Sequence, residues 1–273
     1  MKIAITVGSL VVKACADAGH YTYQINRTEQ EYDGTKNSEM RTADSASDYK
    51  ATLEAFKGAD AVIHLAAIPN PEGQDDYIVH NNNVNSAFIA LRAAGELGIK
   101  KFCLASSVNA IGLAYANQPL KFDYFPMDEK VSYRPTDSYA LAKQEAETQA
   151  QSFVHWFPGM NVASMRIHEV APLKDVQKEH EENAQSGIKQ LWGWVNPKAT
   201  ARACLLSVEK DLKGRHEIFN IVAPNTTQST PSRELAKQYY PDVEIKPGFD
   251  GSKGFWDVSK AKELLGWEHT ETE

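Results

Sequence analysis

Residues 101–107 read Lys101-Phe102-Cys103-Leu104-Ala105-Ser106-Ser107. An apolar run that stops at two serines predicts a buried strand, Lys101–Ala105, whose carboxyl end opens into polar chain. Upstream, the spacing predicts a helix over Asn83–Leu97 closed by Gly98, and before it a buried strand, Ala61-Val62-Ile63-His64-Leu65. Downstream come a helix over Ser138–Phe153 and a strand over Asn161–Ile167. The same rhythm reaches back to the start. Lys2–Thr6 and Tyr21–Ile25 read as strands, Leu10–Cys15 has helical spacing and stops near Gly19, and Ser47 or Asp48 is placed to cap a helix over Tyr49–Lys57 ended by Gly58.

Strands alternating with helices predict an α/β fold, a Rossmann-type doubly wound parallel sheet covered on both faces. After residue 167 the rhythm loosens. Helices are expected over Lys198–Lys210, Ser232–Tyr239 and Ser259–Leu265, with one strand over Glu217–Val222. The reading therefore divides the chain into a sheet domain, 1–169, and a small C-terminal substrate lobe, 170–273, with the chain crossing back to the sheet. The polar stretch Lys174–Gln185 is expected to be a mobile lid or loop.

A chain of 273 residues, 42% hydrophobic and 24% charged, has the composition of an ordinary globular protein. Its net charge of −7 and lack of a basic stretch argue against nucleic acid as a partner. No apolar run is long enough to span a membrane. Cys15, Cys103 and Cys204 sit in apolar segments without motif spacing and read as core residues in a reducing compartment. With no leader read in the first residues, a cytoplasmic location is expected. The eight histidines show no ligand spacing, so no metal is expected.

Tyr139-Ala140-Leu141-Ala142-Lys143 lies within the helix predicted over Ser138–Phe153. Positions i and i+4 share a helix face, so phenol and ammonium point into one cleft. A phenol titrates near ~10 and is a poor base at neutral pH, and a neighbouring ammonium favours its phenolate. Ser107 follows a strand at its carboxyl end, where open α/β sheets bind ligands. It can hold a substrate oxygen while Tyr139 exchanges a proton. An exposed helix face for the pair, and a turn or cap for the serine, are the plainer readings of each motif alone.

These residues resemble the extended short-chain dehydrogenases/reductases, the NAD-dependent epimerase/dehydratase family, over nearly the whole chain. His64-Leu65-Ala66-Ala67, Asn83-Val84-Asn85-Ser86, the serine loop Ala105–Gly112, and Trp256-Asp257-Val258-Ser259-Lys260 through Leu264-Leu265-Gly266-Trp267 carry the likeness. The resemblance implies a dinucleotide-binding domain over 1–169 and Ser107, Tyr139 and Lys143 as catalytic residues. It implies Leu65, Ala66, Ala67 and Asn83 beside the cofactor, Tyr139 and Lys143 in contact with it, and Asp44 near its adenine. It also makes a homodimer plausible, through a helix pair that includes Ser138–Phe153. In size and motifs the chain is closest to uronate dehydrogenases, which act on free sugar acids.

The first turn departs from the family. Where GxxGxxG is expected, the chain reads Thr6-Val7-Gly8-Ser9-Leu10, and only Gly8 fits, at the third position. A phosphate cradle needs about five more residues there. An enzyme otherwise intact predicts a backbone break between Thr6 and Val7, with the glycine loop lying in the gap. Asn26-Arg27 at the end of the second strand leans slightly toward NADP over NAD, since an arginine there accommodates a 2′-phosphate. Ser107, Val108, Asn109, His168 and Glu169 are the expected substrate contacts. Glu169 stands near a position where epimerases place asparagine, and it would accept bonds from hydroxyls but repel a carboxylate. The expected function is hydride transfer between NAD(P) and a small sugar-like, polyhydroxylated or carbonyl compound. Nucleotide-sugar epimerisation or dehydration comes second. A non-catalytic cofactor-binding or scaffold protein is the reading that a true loss of the glycine loop would favour.

Overall fold

A computed structural model describes residues 1–271 of the chain. Its strands are β1 (Lys2–Thr6), β2 (Tyr21–Asn26), β3 (Ser38–Thr42), β4 (Ala61–His64), β5 (Lys101–Ser107), β6 (Tyr124–Phe125), β7 (Asn161–Ile167), β8 (His216–Ile221) and β9 (Glu244–Ile245). Seven of them form one sheet in the order β3-β2-β1-β4-β5-β7-β8, and every pairing in it is parallel. The chain winds outward from β1 to β3, then returns to the centre and winds the other way from β4. That reversal, with Thr6 in register with His64, opens a crevice at the carboxyl ends of β1 and β4.

The helices are α1 (Ser9–Asp17), α2 (Tyr49–Phe56), α3 (Asp76–Glu96), α4 (Ser138–Trp156), α5 (Leu173–Glu182), α6 (Ala184–Lys189), α7 (Pro197–Glu209), α8 (Ser232–Tyr239) and α9 (Ser259–Leu265). Side chains of a strand alternate between faces, and the sheet is apolar on both. Ile3, Ile5 and Ile63 pack with Val12 of α1, Cys204 of α7 and Leu265 of α9 on one side. Ala4 and Val62 pack with Phe56 of α2, Leu91 of α3 and Phe153 of α4 on the other. All three cysteines are free and buried, as their apolar surroundings imply. Beyond the sheet, Phe125, Met127, Trp192, Leu235, Phe249, Phe255 and Trp256 build a separate lobe core. The chain after residue 169 also returns α7 and β8 to the main layers.

Three expectations change, and one strand, β3, was not foreseen. Lys174–Gln185 is not a loop: α5 spans most of it, with Val176 and His180 as its buried residues. Two buried positions on an otherwise charged helix leave almost no apolar period to read. Helix α3 starts at Asp76, ahead of the expected Asn83, because its first turns expose Tyr77 and Ile78. Strand β3 is half-buried and polar at the sheet edge and gives no apolar run. The break between Thr6 and Val7 does not occur. Val7 and Gly8 alone join β1 to α1, with φ of 62° and 94°, and the Val7 amide donates to the Ile25 carbonyl at 3.0 Å. Two left-handed residues turn the chain without a longer loop, even though one is a β-branched valine that rarely accepts that conformation.

Candidate active site

The Asp137 carboxylate caps α4 by accepting from the Ala140 amide at 2.8 Å, and this fixes where the helix begins beside the crevice. Tyr139 and Lys143 then fall one turn apart on its buried side, facing the carboxyl end of β5. Ser107, Tyr139 and Lys143 are 6%, 7% and 6% exposed. The structure brings all three together on the wall of one cavity of about 630 Å³.

Burial pushes the Tyr139 phenol up to about 12, against a hydrogen bond with Ser107 that favours its ionised form. Burial likewise pushes the Lys143 ammonium down to about 8, offset in part by Glu147. The ammonium donates to the Ala105 carbonyl at 2.7 Å and stands 5.6 Å from the centre of the Tyr139 ring. The phenol is thus shifted by desolvation of its ionised form, with Ser107 as the group that opposes it, rather than by the neighbouring ammonium. Tyr115 meets Tyr139 edge to face, with ring centres 6.0 Å apart, and closes one side of the site.

Gly8, Ser9 and Leu10, at the N-terminus of α1, line the same cavity as Ser107, Tyr139 and Lys143, together with Leu65 and Ala67. A methyl group on Gly8 would come within 2.6 Å of Leu65, so the backbone passes closer here than a side chain allows. A second hollow of about 150 Å³ lies across the turn, lined by Val7, Arg27, Asp44, Ala66 and Ala67 among others. Arg27 is exposed and pairs with Asp44 at 3.0 Å. Burial raises the Asp44 carboxyl, but the Ala46 amide, Ser47 and Arg27 together hold it below the usual carboxylate range. Asn26, the last residue of β2, accepts from the Ala43 amide through its carbonyl at 3.0 Å. The two hollows share Ala67 and flank the Val7–Gly8 turn, an arrangement that fits a two-headed ligand crossing a helix N-terminus.

A polar relay shapes the segment after β4. Thr6 accepts from the amides of Leu65 and Ala66 at 3.0 and 3.2 Å and contacts His64 Nδ1 at 3.0 Å, while His64 Nε2 meets Ser86 at 3.1 Å. Asn83 spends both side-chain amide atoms on the backbone of Ile68, at 2.8 and 3.0 Å. It braces this segment.

Asn109, His168 and Glu169 also line the main cavity. Val108 does not: its side chain is packed into the lobe core, because the chain turns into a short 3-10 helix directly after Ser107. His168 is buried, accepts from the Glu169 amide at 2.7 Å and meets the Gln190 carbonyl at 3.0 Å. Burial and the neighbouring Glu179 raise the Glu169 carboxyl, against a 3.1 Å bond from Gln190.

Sequence reasoning missed Tyr115, Gln190 and Thr200, which line the cavity from segments without a chemical motif. It also missed Glu147, although the i+4 spacing from Lys143 was there to be read. Glu147 accepts from Ser106 at 2.5 Å, from Tyr133 at 2.5 Å and from Arg166 at 3.0 and 2.9 Å, one turn of α4 beyond Lys143.

A family model described as the NAD dependent epimerase/dehydratase family matches residues 6–221. An NAD-dependent glucose-6-phosphate dehydrogenase of Haloferax volcanii is 32% identical over 141 residues, covering 50% of this chain and 52% of that protein. The matched stretch is thus about half the length of that relative. An L-arabinose 1-dehydrogenase (NAD(P)(+)) of the same organism is 25% identical over 236 residues, 82% of this chain and 89% of that one. Among solved structures, a mutated uronate dehydrogenase superposes with a TM-score of 0.70 at 17% identity, covering 99% of this chain and 82% of that one.

Proposed function

The chain belongs to the NAD dependent epimerase/dehydratase family, and from that premise we propose that it is an NAD(P)-dependent dehydrogenase of a small, sugar-like polyhydroxylated substrate. The observation that carries this reading is the burial of Ser107, Tyr139 and Lys143 on one cavity that the α1 N-terminus also lines. The two sugar dehydrogenases among its relatives support the substrate class.

In this reading the pyrophosphate crosses the two-residue turn at Gly8, Ser9 and Leu10 without the family's longer glycine cradle, Arg27 and Asp44 take the adenosine end, and the backbone of Leu65–Ala67 borders the cofactor. Lys143 holds the nicotinamide ribose, with the Tyr139 ring beside it. The bound dinucleotide supplies the hydride acceptor. Ser107 donates to the substrate oxygen and orients it, and Tyr139 removes the hydroxyl proton as the carbon is oxidised. Lys143 supplies positive charge that favours the phenolate, and Tyr115 keeps water from the reacting face. Asn109 and Glu169 meet the remaining hydroxyls, while His168, whose two ring nitrogens are held by the Glu169 amide and the Gln190 carbonyl, shapes the wall beside them. Asn26-Arg27 stands where an acidic residue would select NAD, which tilts the preference toward NADP.

A panel of aldoses, uronates and polyols, offered with NAD⁺ and with NADP⁺, tests the proposal. Net formation of reduced cofactor with a free sugar or polyol is the expected result. Interconversion of a nucleotide sugar without net cofactor consumption would replace it with epimerisation. Cofactor binding with no turnover on any compound would make the chain a binder.

A further inference from the structure

Among the described residues, the fold gathers Glu169, Glu179 and His180 so that a donor atom of each lies within 4.8 Å of the others. Glu169 follows β7 and lines the catalytic cavity, whereas Glu179 and His180 lie on α5. His180 is 3% exposed. Its Nδ1 lies 2.9 Å from the Thr227 hydroxyl, and its Nε2 faces Glu179 Oε2 at 3.4 Å and Glu169 Oε2 at 3.9 Å. Neither His180 Nε2 nor Glu179 Oε2 has a hydrogen-bond partner, and both atoms are sealed from solvent. A buried polar atom left unpaired costs about 1–3 kcal/mol, so two that face each other call for a group between them.

The geometry suits a metal ion. Two ligand atoms each about 2.1 Å from a tetrahedral centre lie about 3.4 Å apart, the spacing of His180 Nε2 and Glu179 Oε2. In the tautomer whose Nδ1–H donates to Thr227, Nε2 presents its lone pair, which is how a metal-bound imidazole is normally oriented from behind. Gln190 donates to Glu169 Oε2 at 3.1 Å and steadies that carboxylate. One imidazole and two carboxylates match zinc, whereas magnesium and calcium prefer oxygen ligands alone.

We propose that Glu169, Glu179 and His180 bind a divalent transition-metal cation, zinc best, in the wall of the catalytic cavity. The ion neutralises two carboxylates, one of them Glu169 on the cavity wall, and ties α5 to the end of β7. The scatter of histidines along the chain hid this grouping, because its ligands come from two elements and have no helical i,i+4 spacing.

Titration of the tag-free, chelator-stripped full chain with Zn²⁺ by calorimetry, and with Co²⁺ by visible absorption, tests the proposal. One equivalent should bind, with cobalt bands typical of a four-coordinate ion. Glu179→Gln and His180→Asn should each weaken binding by about tenfold or more. His155→Asn, at an exposed histidine of α4 bonded to Gln151, should leave it unchanged. Glu179 is only partly buried, so its variant remains informative if the His180 variant folds poorly. Absence of a one-equivalent site overturns the proposal, as does equal affinity in wild type and Glu179→Gln.

Discussion

Tyr139 is a buried phenol whose ionisation is opposed by its surroundings and helped by Ser107. At neutral pH it is in the acid form, which suits reduction of a carbonyl. Oxidation needs the phenolate, whose fraction grows tenfold per pH unit below the raised value of about 12. The turnover of alcohol oxidation is therefore expected to rise with a log slope near +1 from about pH 6 to 8. Above about 8 Lys143 loses its charge, and the slope should fall. A profile of kcat against pH, measured in the oxidative direction, checks this, and a flat profile over the lower range would speak against Tyr139 as the base. That Ser107, Tyr139 and Lys143 meet on one cavity wall was legible in the sequence because they follow a fixed register: one serine at a strand end, two residues a helical turn apart. Gln190, Tyr115 and the Glu169–Glu179–His180 grouping could not. They meet only through tertiary packing of loops and of a helix with little apolar character.

Helix α4 carries the site on one stretch and its support on the next. Glu147 pairs with Arg166 at 2.9 Å, and the two side chains are 2% and 1% exposed. Removing one partner strands a buried guanidinium, so Glu147→Ala is expected to cost about 3–5 kcal/mol. The double variant Glu147→Leu with Arg166→Met should recover much of it. Denaturant unfolding of the three proteins measures both, and a loss under about 1 kcal/mol for Glu147→Ala would show that the ion pair is not what fixes the helix. Strand and helix positions near the sheet centre were readable because each is apolar at its own period, as in Ala61–His64 and Asn161–Ile167. The short loop between β1 and α1 was not. Its shape depends on Val7 adopting a left-handed conformation that its residue type resists, and no local pattern announces that. The β3 edge strand and α5 were obscured for the opposite reason, since each buries too little to show a period.

Across the whole molecule, the relay Thr6–His64–Ser86 ties the central strands to α3 beneath the crevice. Burial, reinforced by the charge of Lys143, pushes His64 down to about 3 from its ordinary 6.5. A depressed value means that the folded state binds fewer protons than the unfolded one between those limits. The stability His64 provides is therefore complete above about pH 6.5 and is lost as pH falls toward 3. Between pH 6.5 and 4.5 this loss should reach about 2–3 kcal/mol more in wild type than in His64→Gln. Unfolding free energies of both proteins at the two pH values check it, and equal losses would mean that His64 is already charged in the fold. In the proposed function the same crevice, with one glycine at its turn, holds a dinucleotide beside Tyr139. The most direct test is the initial rate of cofactor reduction by wild type and Tyr139→Phe on the best substrate of the panel, with cofactor affinity measured on the same samples. Unchanged affinity with turnover lower by about a hundredfold or more is the expected result. Near-normal turnover in Tyr139→Phe, or loss of affinity without a further loss of rate, would contradict the assignment of Tyr139 as the proton-transfer group.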